Sequence, residues 1–210
     1  MNFNALRHTA RILMSLSLLF ALTACSSNAP FKKFDANKKI KPSTIAVISG
    51  GDDDLDIKLA ELISNDLSRR STFTVMPQSE IAKKIHEYPA TIRLVYKLAD
   101  EQKPVWFGLS EFEKVNAIQD RLKVDYLFVV WNRDFFQGYT AFSTYDYVVP
   151  AGNLIEYPGA KVVASSMLYS HSRVGLLKWF RDADYYLVDA LENGAEDIVN
   201  EFLDVTNSKK

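Results

Sequence analysis

The sequence predicts an α/β fold: a mixed sheet that begins with a βαβ unit, has helices packed on it, and ends in a long C-terminal helix. Three observations predict it. Strand, helix and strand patterns follow one another between Thr44 and Met76, in about the length that a parallel βαβ unit takes. Asp125-Tyr126-Leu127-Phe128-Val129-Val130-Trp131 is almost continuously apolar, as a strand covered on both faces must be. Apolar residues then recur at helical spacing from about Asp182 to Val205.

Taken in order, Thr44-Ile45-Ala46-Val47-Ile48-Ser49 reads as a buried strand that Gly50-Gly51 breaks. Asp52-Asp53-Asp54 supplies a helix start, with carboxylates near the positive end of the dipole. The helix is expected from about Leu55 to Arg70, with Leu55, Leu59, Leu62, Ile63 and Leu67 on one face. Thr72 to Met76 reads as a second strand, stopped by Pro77. Ser79 through Tyr88 reads as a short helix capped by Ser79. Residues 89–108 are ambiguous, with a helical stretch in 92–99 and a break at Lys103-Pro104. Ser110 and Glu113 have capping-box spacing and open a helix whose core face is Phe112, Val115, Ile118 and Leu122. After the Asp125–Trp131 strand, 139–149 and 161–170 alternate loosely. They read as two long antiparallel strands joined by a loop of about ten residues around Pro150-Ala151-Gly152-Asn153 and Tyr157-Pro158-Gly159. In the last helix Leu187, Val188, Leu191, Ala195, Ile198, Val199 and Phe202 form the stripe, and Gly194 weakens it locally.

The first 24 residues have a different character. Arg7, His8 and Arg11 are followed by an uncharged apolar run from Ile12 to Leu22, then by the small residues Thr23 and Ala24. That is the layout of a secretory signal. The run is about 11 residues, against roughly 20 for a spanning helix. Leu22-Thr23-Ala24-Cys25 resembles the lipobox of bacterial lipoproteins. The resemblance implies cleavage before Cys25, a diacylglyceryl group on its sulfur and an acylated amino group. Ser26 at the next position implies the outer membrane. Cys25 is the only cysteine of the chain, so no internal disulfide competes for it. Each buried methylene of an acyl chain contributes about 0.8 kcal/mol, and several chains make the anchor durable.

The expected organisation is therefore a signal peptide over 1–24, a lipidated Cys25 with a Lys-rich tether over 25–43, and one α/β domain over 44–207. The tether shows no periodicity and carries Lys32, Lys33, Lys38, Lys39 and Lys41 against Asp35. Two readings stand for it: lysines lying on anionic headgroups, or a merely soluble linker. Residues 42–210 carry 18 basic and 25 acidic groups. An acidic folded part argues against nucleic acid as a partner.

Catalytic and cofactor motifs are poor. There is no Gly-x-Ser-x-Gly elbow and no phosphate-cradling glycine loop. His86-Glu87 lacks the second histidine of a zinc-protease helix, and His86 and His171 are the only histidines beyond the signal segment. The expectation is a non-enzyme with no catalytic residue, cofactor or metal. Asp52-Asp53-Asp54-x-Asp56 lacks the alternation and distal Glu of a calcium loop, so a helix start is its expected role.

The remaining feature is aromatic: Trp131, Phe135, Phe136, Tyr139, Phe142, Tyr145 and Tyr147. On a single strand Tyr139, Tyr145 and Tyr147 share a face, which makes them the candidate partner surface. The alternative for the same residues is packing inside a mixed sheet. Trp179-Phe180 and Tyr185-Tyr186 pose the same choice.

The order of elements resembles the periplasmic lipoproteins built on the fold of the TolB amino-terminal domain, including the penicillin-binding-protein activator and curli-channel lipoproteins. The matching phrases are Ile45-Ala46-Val47-Ile48, Ala60 to Leu67, Phe73 to Met76 with Ser79-Glu80-Ile81, and Val124 to Val130. The resemblance covers residues 44–131 and, more weakly, the end of the chain. It implies binding rather than chemistry: an accessory protein of an envelope protein complex for assembly, secretion or peptidoglycan synthesis. The alternative it leaves open is a subunit of an oligomeric secretion or transport assembly. Residues 139–170 depart from a lipid-facing alternation at Asp146, Glu156 and Lys161. The short tether departs from the synthase-activator pattern.

Overall fold

The computed structural model describes residues 29–33, 39–51, 53–85, 88, 109–139, 144–172 and 183–208. The fold is α/β. Among the described residues seven strands form one mixed sheet: β1 (Ala29–Lys33), β2 (Thr44–Ser49), β3 (Thr74–Val75), β4 (Tyr126–Tyr139), β5 (Thr144–Glu156), β6 (Lys161–Met167) and β7 (Ser170–His171). Their order is β1-β6-β5-β4-β2-β3, with β7 continuing beside β5. β2 pairs in parallel with β3 and β4, and all other pairings are antiparallel. The helices are α1 (Asp54–Arg70), α2 (Gln78–Lys84), α3 (Leu109–Leu122) and α4 (Ala183–Thr206).

The sheet has a core on each face. Helices α1 and α4 cover one, where Leu59, Ile63, Leu67, Leu191, Ile198 and Phe202 meet Ile45, Val47 and Phe128. Phe202 stacks on Phe128 at 5.4 Å between ring centroids and meets Phe73 edge-on at 5.3 Å. Helices α2 and α3 cover the other, with Ile81, Val115, Ile118 and Leu122 against Ala46, Ile48, Leu127 and Val129. Successive residues of β2 and β4 therefore enter opposite cores, which is why both strands read as unbroken apolar runs.

Several expectations are corrected. The Pro150–Asn153 stretch, read as a loop, lies inside β5 and pairs with β4 and β6. The strand that begins near Asp125 does not end at Trp131 but runs to Tyr139. The turn between β5 and β6 is Tyr157-Pro158-Gly159-Ala160, where Gly159 (φ 99°) and Ala160 (φ 46°) reverse the chain. Ser79 does not cap α2; the cap position is Pro77, with no side-chain bond, and its carbonyl accepts from Glu80 N and Ile81 N. The tether was expected to hold no element, yet residues 29–33 pair with β6 as the edge strand β1. Val188 is exposed rather than part of the α4 stripe. The side chains of Phe112, Tyr185 and Tyr186, and residues His86, Trp179-Phe180 and 89–108, lie outside what is described.

Two glycines explain how closely α4 and β5 pack. A Cβ on Gly194 would stand 2.8 Å from Pro150 Cγ, so the residue expected only to weaken α4 is the one that lets it approach the sheet. A Cβ on Gly152 would stand 2.6 Å from Phe128 Cε2 and 3.0 Å from its Cζ. Gly152→Ala is expected to destabilise the fold by about 1–3 kcal/mol through overpacking. An unchanged midpoint in urea unfolding would contradict that packing.

At the other end of the sheet, Asp125 ties β4 to β2. Thr44 Oγ1 donates to Asp125 Oδ2 at 2.7 Å, Thr44 N donates to the same oxygen at 3.1 Å, and Asp125 N donates back to Thr44 Oγ1 at 3.0 Å. The Thr44 hydroxyl, followed by its backbone N–H, holds the Asp125 carboxyl below its ordinary value. A depressed carboxyl contributes stability above its unfolded value and loses it as pH falls through the folded one. Thr44→Val should therefore lower the melting temperature most near neutral pH. The gap from wild type should close on acidification through the Asp125 titration; a pH-independent gap would show that the bond is not the cause.

Candidate functional site

β4 outruns its parallel neighbour. β2 pairs with β4 from Ile45–Tyr126 to Ser49–Val130, and Gly50 N then donates to Val130 O at 2.7 Å. Beyond that point β4 continues to Tyr139 with only β5 beside it among the described residues, and β5 carries β7 at Tyr147 and Val148. The result is a hairpin arm that β7 flanks on the β5 side and α4 covers at Val148.

A bulge marks its root. Asn132 is opposite Pro150 and Phe135 is opposite Val148, so β4 uses one residue more than β5 over this step. Pro150 has no N–H for the ladder, and a bulge is where a sheet tolerates proline. The loosened backbone is satisfied by side chains. Asn132 N donates to Asp56 Oδ1 at 2.6 Å, Val149 N donates to Asn132 Oδ1 at 3.0 Å, and Phe135 N donates to Asp134 Oδ1 at 2.9 Å. Pro150 O accepts Leu168 N at 2.9 Å.

Asp56 is buried in the first turn of α1, and its own N–H donates to Asp53 Oδ1 at 2.9 Å, the N-cap bond of that helix. Two of the four clustered acids thus have structural roles, in line with the helix-start expectation. Asp52 lies outside the described residues. Close by, Ser49 N donates to Tyr88 Oη at 3.1 Å, and Tyr88 donates to Gln78 Oε1 at 3.1 Å. Burial pushes the Tyr88 phenol up to about 12.

The arm exposes apolar surface. Phe136 is 52% exposed and Phe135 39%. Tyr147, opposite Phe136, is half-buried, with its ring 5.7 Å from that of the exposed His171 on β7. Of the predicted surface, Tyr145 and Tyr147 are on β5 but Tyr139 is on β4, opposite Thr144, so the three do not share one strand. The side chains of Tyr139 and Tyr145 lie outside the described set, as does Cys25. Sequence reasoning missed Phe135 and Phe136 as the exposed pair; the signal was the adjacent Arg133-Asp134, two exposed charges inside an apolar strand.

Among the described residues no group of three or more His, Cys, Asp or Glu is placed to hold a metal ion, and no helix is long and apolar enough to cross a membrane.

No protein family matches the chain, and no curated protein matches it. Solved structures are similar at low identity. A point variant of the PelC dodecamer from Paraburkholderia phytofirmans is 12% identical, with TM-score 0.45, over 80% of this chain and 94% of that one. Lipoprotein GNA1162 from Neisseria meningitidis is 11% identical, with TM-score 0.46, over 78% and 99%. The hypothetical protein CT253 from Chlamydia trachomatis is 8% identical, with TM-score 0.43, over 80% and 98%.

Asp56→Ala leaves the part-buried Asn132 N–H without its acceptor, at a cost of about 1–3 kcal/mol. It should also speed proteolytic cleavage within the arm. Asp54→Ala, an exposed acid of the same turn, should change stability by less than about 0.5 kcal/mol. Equal effects of the two substitutions, in unfolding and in cleavage rate, would refute the clamp.

Proposed function

We propose that the chain is a lipid-anchored accessory protein of the bacterial envelope. Acyl chains on Cys25 hold it at the outer membrane, facing the periplasm, where it binds an envelope protein complex. The basic, apolar and small-residue segments leading to Leu22-Thr23-Ala24-Cys25 support the anchor, and Ser26 supports the membrane assigned.

The observation that carries the reading is how little chain separates anchor from fold. Only residues 26–28 lie between Cys25 and the first residue of β1. Four residue steps span at most about 14 Å. A leash that short keeps the sheet at the bilayer, so the partner complex must present its own contact surface within reach of that membrane. Such a module works by position rather than by crossing the periplasm.

The test is the mass of the N-terminal fragment of chain purified from bacterial membranes, together with crosslinking in intact cells. The fragment should begin at Cys25 and carry the added mass of the acyl groups, and Cys25→Ser should abolish both. Crosslinks should recover a protein of the same membrane. A fragment without acyl mass would end the proposal.

A further inference from the structure

Among the described residues β1 is an edge of the sheet, and it is also where the chain arrives from Cys25. Ala29 of β1 is opposite Met167 of β6, Met167 is opposite Ala151 of β5, and Ala151 is opposite Trp131 of β4. The chain therefore joins the sheet part-way along the long strands rather than at either end. From that row β4 continues to Tyr139, about 23 Å with one residue given to the bulge. In the other direction β5 continues from Ala151 to Glu156, about 17 Å, before the 157–160 turn begins.

The leash from Cys25 to Ala29 is at most about 14 Å, shorter than either distance. With β5 upright on the bilayer, the β4–β5 hairpin or the 157–160 turn would therefore meet the membrane before Cys25 could reach it. Lying flat uses up the leash as well. Helices α1 and α4 cover one face, α2 and α3 the other, and a helix is about 10–12 Å thick. The β1 edge has no such layer beyond it among the described residues, so through it the chain reaches the bilayer with length to spare.

Charge sets the roll about that edge. α4 lies against β1 and β5. It contains no lysine or arginine, and Glu192, Glu196, Asp197 and Asp204 are exposed along it. An anionic headgroup surface repels that side within roughly 8 Å at physiological salt. The opposite face of β6 carries Val162 and Met167 at the rim of the α2–α3 core, with Ser165 between them, all half-buried. The exposed Arg133 stands on this side, with Nη1 donating to Met167 Sδ at 2.9 Å.

We infer that the β1–β6 border of the sheet is the side the protein turns to its bilayer, at headgroup level, with α4 rolled away from the surface. The inference rests on the lipid-anchor reading. It commits to the anionic bilayer, rather than a second copy, as what covers the β1 edge, an edge that would otherwise invite pairing with another chain. The β3 edge, about 24 Å away across the strand spacings, then faces the periplasm and is the side open to a protein partner.

The experiment uses full-length chain purified from bacterial membranes and placed in phosphatidylethanolamine–phosphatidylglycerol vesicles that contain nitroxide-labelled lipid. Ser165→Cys on β6, Thr74→Cys on β3, Phe136→Cys on the hairpin and Tyr157→Cys at the turn each introduce one thiol for a maleimide fluorophore. The lipidated Cys25 is blocked, so wild type should take up none. The probe at 165 should be quenched several-fold more strongly than the other three. Strongest quenching at 74, 136 or 157, or equal quenching at all four, would overturn the inference. So would a probe at 165 that is shielded by protein yet unquenched, the result of edge-to-edge pairing of two copies. A flexible Gly-Ser insertion of about 20 residues between Ser27 and Asn28, which adds roughly 25 Å of reach, should bring quenching at 165 down several-fold toward the other sites. Unchanged quenching at 165 would show that the leash does not set the orientation and would overturn the argument. Wild type that itself accepts the fluorophore would overturn the anchor reading, and the orientation with it.

Discussion

The bond from Asn132 N–H to the Asp56 carboxylate is the point on which the architecture turns. It joins the first turn of α1 to the residue at which β4 leaves its parallel partner. Below it, β4 is a central strand with an apolar core on each face. Above it, β4 is one side of a hairpin on which Phe135 and Phe136 are exposed. A strand changing roles in this way must bend, and a bend in a ladder frees backbone groups that need acceptors and donors. Asp56, Asn132 and Asp134 provide them. The same geometry leaves no room for a side chain at position 51, where a Cβ would stand 2.0 Å from Asp56 Oδ2, so the Gly-Gly that ends β2 is also the space into which the carboxylate fits.

β5 is the second constraint, because it serves three neighbours at once. It pairs with β4 along its whole length, with β6 over its second half and with β7 at Tyr147 and Val148. It also lies under α4, whose Gly194 approaches Pro150. Small residues recur where these demands coincide. Ala151 and Gly152 sit between two strands, and Gly152 yields its volume to the buried ring of Phe128. Phe128 in turn stacks on Phe202, so the long helix, the central strand and the glycine of β5 form one packed unit.

What the sequence showed, and what it hid, follows from this. β2, α1 and α4 were legible because each answers to one dominant pattern: an apolar run, or a stripe at helical spacing. α1 also announced its start, since Asp53 is both an N-cap and a sequence signal. β5 was misread because Pro150-Ala151-Gly152-Asn153 has the composition of a loop, and only the bulge opposite, the close ring of Phe128 and the approach of α4 make that composition suit a strand. β1 was hidden because an edge strand pairs on one side only and needs no apolar periodicity. Spacing alone puts the three tyrosines on one strand, and spacing cannot reveal that Tyr139 of β4 lies opposite Thr144 of β5.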